Sequence, residues 1–162
     1  MSKYKPYKSV KLSDANNIDS IFESGVLSKF LATYSDEFYG GRYIQELENA
    51  FIKKFQVKHA ISVNSWTSGL IIAVGSLDIE PGDEIITTPW TMSATAMAIL
   101  HFNAIPIFCD IDERTFNIDA SKVEALITPR TKAILSVDIF GQSADTNKLN
   151  KIAEKYNLKV IS

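Results

Sequence analysis

The sequence predicts an α/β fold with a mostly parallel sheet and helices on both of its faces. Three observations predict it. From residue 60 onward, short apolar runs alternate with segments whose apolar residues fall at helical spacing. Turn residues separate the two kinds of segment, as in successive strand–helix–strand units. The chain has 162 residues, 46% apolar and 22% charged, which is one domain's worth of polypeptide. A chain of this length buries about 70% of its unfolded surface and needs no staples.

The first 40 residues read differently from the remainder, so a segment 1–40 is set apart from an incomplete large domain 41–162. Ser13-Asp14-Ala15 is a cap signal for a short helix with Ile18, Ile21 and Phe22 on its apolar face and a stop at Gly25. Residues 26–41 lack a period and carry Phe30, Tyr34, Phe38 and Tyr39, which suits an ordered loop or a surface facing a partner subunit. Ile44, Leu47, Phe51 and Phe55 predict a helix near 42–56. Residues 60–63 read as a strand, 68–77 as a buried helix apolar nearly all round, 84–87 as a strand and 93–100 as an apolar helix. Residues 105–108 form a strand in which Pro106 marks a beginning or an edge. Ser121-Lys122-Val123-Glu124 is a capping-box pattern for a helix that must end by Pro129. Residues 133–137 are a strand, 146–156 an amphipathic helix with Asn157 as a left-handed stop, and 158–161 a last strand. A natural domain rarely stops at the tip of a buried strand, so the sequence reads as truncated at Ser162.

Composition excludes several classes. Net charge is −2, from 17 basic and 19 acidic residues, which does not favour nucleic acid or an anionic membrane as main partner. No window of 18 uncharged apolar residues is present to span a membrane, and the N-terminus has lysines with no apolar segment behind them. Cys109 is the single cysteine, which rules out an internal disulfide and suits the cytoplasm. The chain contains no G-x-G-x-x-G, P-loop or G-x-S-x-G pattern.

In open α/β sheets ligands bind beyond the carboxyl ends of the strands, and that rule selects four places in the sequence together with whatever would follow Ser162. Asn64-Ser65-Trp66-Thr67-Ser68-Gly69 joins a strand to a helix; its hydroxyls and free amides suit either a phosphate or an ordinary helix cap. In Thr88-Pro89-Trp90-Thr91-Met92, Trp90 suits stacking on a planar ligand or filling the core, and Met92 covers a ring equally well. Asp110 and Asp112 suggest a metal at first glance, but Asp110-Ile111-Asp112-Glu113-Arg114-Thr115 reads as turn and cap chemistry. Asp138 interrupts an apolar strand end, where a buried acid requires a partner. His59 and His101 stand far apart with no ligand pattern around them.

From about 25 to 162 the sequence resembles, in one register, the N-terminal part of the DegT–StrS family of sugar aminotransferases, pyridoxal-phosphate enzymes of the aspartate aminotransferase fold (fold type I). The carriers are Gly41-Arg42-Tyr43 with Leu47-Glu48, Ser65-Trp66-Thr67-Ser68-Gly69-Leu70, Pro81-Gly82-Asp83-Glu84, Thr91 to Thr95, Ala104-Ile105-Pro106-Ile107-Phe108-Cys109-Asp110-Ile111-Asp112, Thr128-Pro129-Arg130-Thr131-Lys132 and Gly141-Gln142-Ser143-Ala144-Asp145. The resemblance implies that Ser65, the backbone of Trp66, and the side chain and backbone of Thr67 hold the cofactor phosphate. It implies that Trp90 or Met92 covers the pyridine ring and that Asp138 lies near the cofactor, in a place where the family often has His. Gly41 and Arg42 resemble a loop near a dimer interface, and a homodimer with a shared active site is expected. The family's Schiff-base lysine and its carboxylate that pairs with the pyridine nitrogen are expected beyond Ser162, so this chain alone is expected to carry no catalytic residue and to be inactive. The parent activity implied is transfer of an amino group, typically from glutamate, to a keto-sugar for surface polysaccharide synthesis. The sugar is nucleotide-linked or, since the 64–67 variant is similar to such relatives, an eight-carbon sugar acid of lipopolysaccharide. A sugar dehydratase of the same family and a non-catalytic fragment that only associates are the alternatives.

Overall fold

The computed structural model describes residues 18–25, 27, 29, 30 and 34–162. They fall into two compact units that divide between Ser62 and Val63.

In the first unit, α1 (Ile18–Ser24) stops at Gly25, whose φ of 63° is the left-handed conformation glycine adopts without strain. The cap expected at Ser13-Asp14-Ala15 lies outside the described residues. A 3-10 turn (Asp36–Tyr39) precedes α2 (Arg42–Phe55), which ends where Gln56 turns left-handed at φ 53°. Gly40 between them has φ 80°, and a Cβ there would lie 3.0 Å from both Ile44 and Phe30, so two constraints hold the position as glycine. The strand expected at 60–63 does not form. The amide and hydroxyl of Ser62 both donate to the Glu48 carboxylate, at 2.8 and 2.9 Å, instead of joining a ladder. Ile61 is exposed, so the segment also offers no buried face.

The second unit contains α3 (Trp66–Gly75), β1 (Glu84–Thr87), α4 (Ala94–Leu100), β2 (Ile105–Phe108), α5 (Ala120–Val123), β3 (Thr131–Leu135), α6 (Thr146–Tyr156) and β4 (Lys159–Ile161). The strands form one parallel sheet in the order β2-β1-β3-β4. Successive strand residues point to opposite faces, and the two cores follow from that alternation. Ile85, Ala133 and Leu135 pack with Leu70 and Val74 of α3 and Ala98 and Ile99 of α4. Ile86 and Ile134 pack with Val123 of α5 and Leu149, Ile152 and Ala153 of α6. Helices therefore cover both faces, as the sequence predicts. Pro106 lies on the edge strand, where its missing N–H costs no ladder bond.

Three expectations shift. Helix α3 begins at Trp66, not at 68, because Ser65 caps it: its Oγ accepts the Ser68 amide. It is also less enclosed than expected; Leu70 and Val74 are buried while Ile72 is exposed. Helix α5 begins at Ala120 because Asp119, rather than Ser121, is its cap and accepts the Ser121 amide. The predicted strand 133–137 is displaced to Thr131–Leu135; Ser136 still bonds to the Ile161 carbonyl, and the chain leads into a loop from Val137.

At the end of the sheet away from those loops, Glu84 is buried and bolts β1 to the entry of β3. Its carboxylate accepts from Thr128 Oγ1 at 2.5 Å and from both Nε and Nη2 of Arg130. The Thr128 hydroxyl, then the Arg130 guanidinium, hold this carboxyl below its ordinary range despite burial.

Candidate functional site

The connection leaving β1 runs into α4 on one face of the sheet, whereas the connection leaving β3 runs into α6 on the other. Adjacent strands whose connections part in this way open a crevice at their carboxyl ends, the position where such sheets bind ligands. A cavity of about 460 Å³ lies there. Thr91, Met92, Ala94 and Thr95 come to it from beyond β1, residues 136–140 from beyond β3, Ser162 from beyond β4, and Trp66 and Leu70 from α3. Its largely apolar lining with a few polar groups, Thr91, Thr95, Ser136 and Asp138 among them, is the usual character of a small-molecule site.

The six residues singled out from sequence divide by place. Ser65, Trp66 and Thr67 form the head of α3. Ser65 Oγ is 3.2 Å from the Ser68 amide it accepts and 3.0 Å from the Ser68 hydroxyl. Helix geometry provides no intrahelical acceptor for the amides of Trp66 and Thr67. Two amides, the exposed Thr67 hydroxyl and the positive end of the helix dipole therefore face outward as a donor set. Such a set fits a dianionic phosphate ester, since every member donates and none repels. The Trp66 indole folds back over its own helix: a Cβ on Gly69 would sit 3.1 Å from its ring.

Met92 lines the cavity, while Trp90 lies outside it, in an adjoining pocket of about 310 Å³ that Met92 also lines. The Trp90 ring stacks on Phe116, with centroids 6.2 Å apart and planes at 29°. The loop that carries both residues is tied internally: Trp90 N donates to Thr88 Oγ1, Thr95 N to Met92 O, and the hydroxyls of Thr91 and Thr95 lie 3.3 Å apart.

Asp138 lines the cavity but is exposed, not buried as its apolar neighbours suggested. Its partner is local: Oδ1 accepts the Ala144 amide at 2.9 Å, closing the loop after β3. Asp110 and Asp112 perform turn chemistry. Asp112 Oδ1 accepts the amides of Arg114 and Thr115, which lower its pKa, and Asp110 accepts from Ile111 N and Lys122 Nζ. Gly41 is the cap residue of α2, and Arg42 pairs with Glu46 one turn on.

Sequence reasoning missed Phe140 and Asn117. Phe140 has φ 54° and lines the cavity with an exposed ring. Asn117 is buried behind the same loop and bonded to it. Neither carries a local signal, because the bonds that give them their place span more than 20 residues.

Residues 29–162 match the DegT/DnrJ/EryC1/StrS aminotransferase family. The spore coat polysaccharide biosynthesis protein SpsC of Bacillus subtilis is 41% identical over 148 residues, which are 91% of this chain and 35% of that protein. GDP-perosamine synthase of Caulobacter vibrioides is 46% identical over 121 residues, 75% of this chain and 33% of that one. The crystal structure of NtdA from Bacillus subtilis with bound cofactor PMP superposes with a TM-score of 0.81 at 32% identity, over 90% of this chain and 31% of that one. The chain thus spans about a third of the length of these curated relatives. The parallel sheet, the crevice beyond its carboxyl ends and a match over most of the sequence agree, and the chain belongs to the DegT/DnrJ/EryC1/StrS aminotransferase family.

Proposed function

We propose that this chain supplies the phosphate-holding part of a pyridoxal-phosphate site in an enzyme that moves an amino group, from glutamate, onto a keto-sugar. The observation that carries the reading is the meeting of the α3 head, Met92 and the loop after β3 around one cavity at the switch point of the sheet. In this reading the amides of Trp66 and Thr67 and the Thr67 hydroxyl hold the phosphate, with Ser65 fixing the turn that aims them. Met92, which lines the cavity, would cover one side of the ring by sulfur–aromatic contact. Trp90 braces Phe116, and Asp138 holds the cavity wall through the Ala144 amide. The cofactor, when bound, supplies an electron sink for the carbon that loses or gains nitrogen.

The sugar is nucleotide-linked, a choice supported by the likeness to GDP-perosamine synthase, and the product serves a surface polysaccharide, supported by the likeness to SpsC. An eight-carbon sugar acid is the other acceptor consistent with the 64–67 segment. The enzyme works in the cytoplasm as a homodimer. Among the described residues no helix is long and apolar enough to cross a membrane, and α2 presents Leu47, Phe51 and Phe55, all exposed, for a second copy to cover.

The test is a titration of the chain with pyridoxal phosphate, followed by absorbance near the cofactor's band, together with an amino-transfer assay on the complete gene product. Saturable binding that inorganic phosphate competes away, with glutamate-dependent amination of a nucleotide keto-sugar, is expected. Binding to the complete product with no lysine adduct after borohydride treatment would point to the dehydratase instead. No binding to either protein would end the cofactor reading.

A further inference from the structure

Asn117 lies in the loop between β2 and α5, only 3% exposed. Both polar atoms of its side chain bond to a segment more than 20 residues away. Nδ2 donates to the Gln142 carbonyl at 2.9 Å, and Oδ1 accepts the Ile139 amide at 3.0 Å. These two partners bracket the turn Ile139–Gly141, and Ile139 and Phe140 are walls of the cavity. The middle residue of that turn, Phe140, is held at φ 54° and ψ 20°, a conformation a bulky side chain adopts only when its surroundings impose it. The residue before Asn117 is held the same way: Phe116 has φ 60°, and its ring meets Phe140 edge-on at 6.2 Å. One buried carboxamide therefore follows one aromatic residue in left-handed conformation and brackets a second, Phe140, which lines the candidate site.

We propose that Asn117 is a positioning residue. Its carboxamide clamps both ends of the 139–142 turn and so fixes the cavity wall against which the ring of pyridoxal phosphate rests. The proposal rests on the cofactor reading given above. A donor and an acceptor on one rigid plane suit the task, because the two ends of the turn offer a carbonyl and an N–H respectively. A threonine hydroxyl also donates and accepts, but from one atom, whereas the carboxamide carries the two functions on separate atoms and so reaches both ends of the turn. The head of α3, which holds the phosphate in that reading, makes no hydrogen bond with Asn117 or the turn. Loss of the clamp is therefore expected to affect the ring and not the phosphate.

The test compares wild type with Asn117→Leu, which keeps the branched outline, is somewhat bulkier and loses both bonds, and Asn117→Asp, which keeps the size and the acceptor and loses the donor. Dissociation constants are measured for pyridoxal phosphate and for inorganic phosphate, with amide exchange at Ile139 and the melting temperature. For Asn117→Leu, pyridoxal phosphate is expected to weaken tenfold or more while inorganic phosphate changes less than twofold, and Ile139 exchanges faster. Asn117→Asp is expected to keep Ile139 protected and to weaken pyridoxal phosphate by an intermediate factor, which reads the clamp even where the leucine variant does not fold. Equal weakening of both ligands, or a lowered melting temperature with both affinities unchanged, would show a merely structural asparagine and overturn the proposal. Wild type that binds inorganic phosphate but not pyridoxal phosphate would overturn the cofactor reading, and with it any role toward the ring, while the exchange data still report the clamp.

Discussion

Thr67 and Cys109 show how differently two small polar side chains are used. Thr67 is exposed at the second position of α3, with its hydroxyl and amide facing outward. A hydrogen bond to a charged phosphate is worth about 1.5–3 kcal/mol. Thr67→Ala is therefore expected to weaken pyridoxal phosphate about 10- to 100-fold with little change in melting temperature, measured by titration and by thermal unfolding. Cys109 is fully buried at the end of β2, and burial pushes its thiol up to about 11. The thiolate is the reactive form. Cys109 is accordingly expected to resist a thiol reagent at pH 8 in the folded chain and to react at once in denaturant, followed by mass. The role of Ser65 as a cap was readable from the residue types; the burial of Asn117 was not, since only a distant loop gives it partners.

At the scale of elements, Glu84 shows how one residue ties two strands. Glu84→Gln removes the charge that Thr128 and Arg130 satisfy. A loss of about 1–3 kcal/mol at neutral pH is expected from a urea midpoint. The folded carboxyl titrates below its unfolded value, so its contribution is complete above the unfolded pKa of about 4.3 and disappears as pH falls through the folded one. The stability gap between wild type and Glu84→Gln is thus constant from neutral pH to about pH 5 and closes in acid; a gap that widens in acid would contradict the assignment. Elements with a strong period were legible: α2 and α6 lie where their apolar spacing placed them, and α6 ends at the left-handed Asn157. The strand expected at 60–63 failed because an apolar run of four residues carries no information about whether a neighbouring strand exists to pair with it. Here a glutamate side chain captured the backbone donor first. The start of α5 moved for a related reason: Asp119 and Ser121 are both good caps, and Asp119 alone also reaches the Ser121 amide and hydroxyl from outside the helix.

For the molecule as a whole, the decisive feature is where the sheet reverses its winding. Alternating strands and helices announced a parallel sheet, and the carboxyl-end rule announced which loops to watch. Strand order is a long-range property that no local pattern encodes. Only the order β2-β1-β3-β4 shows that the loops after β1 and β3 flank one crevice and that Met92, not Trp90, stands inside it. The central claim is that the α3 head and these two loops bind one ligand together. It is tested most directly by recording backbone amide resonances of the isotopically labelled chain during titration with pyridoxal phosphate. Saturable shifts at Trp66, Thr67, Met92 and Ile139 with a single dissociation constant are predicted. Shifts confined to other surfaces, or separate constants for the helix head and the two loops, would contradict the account.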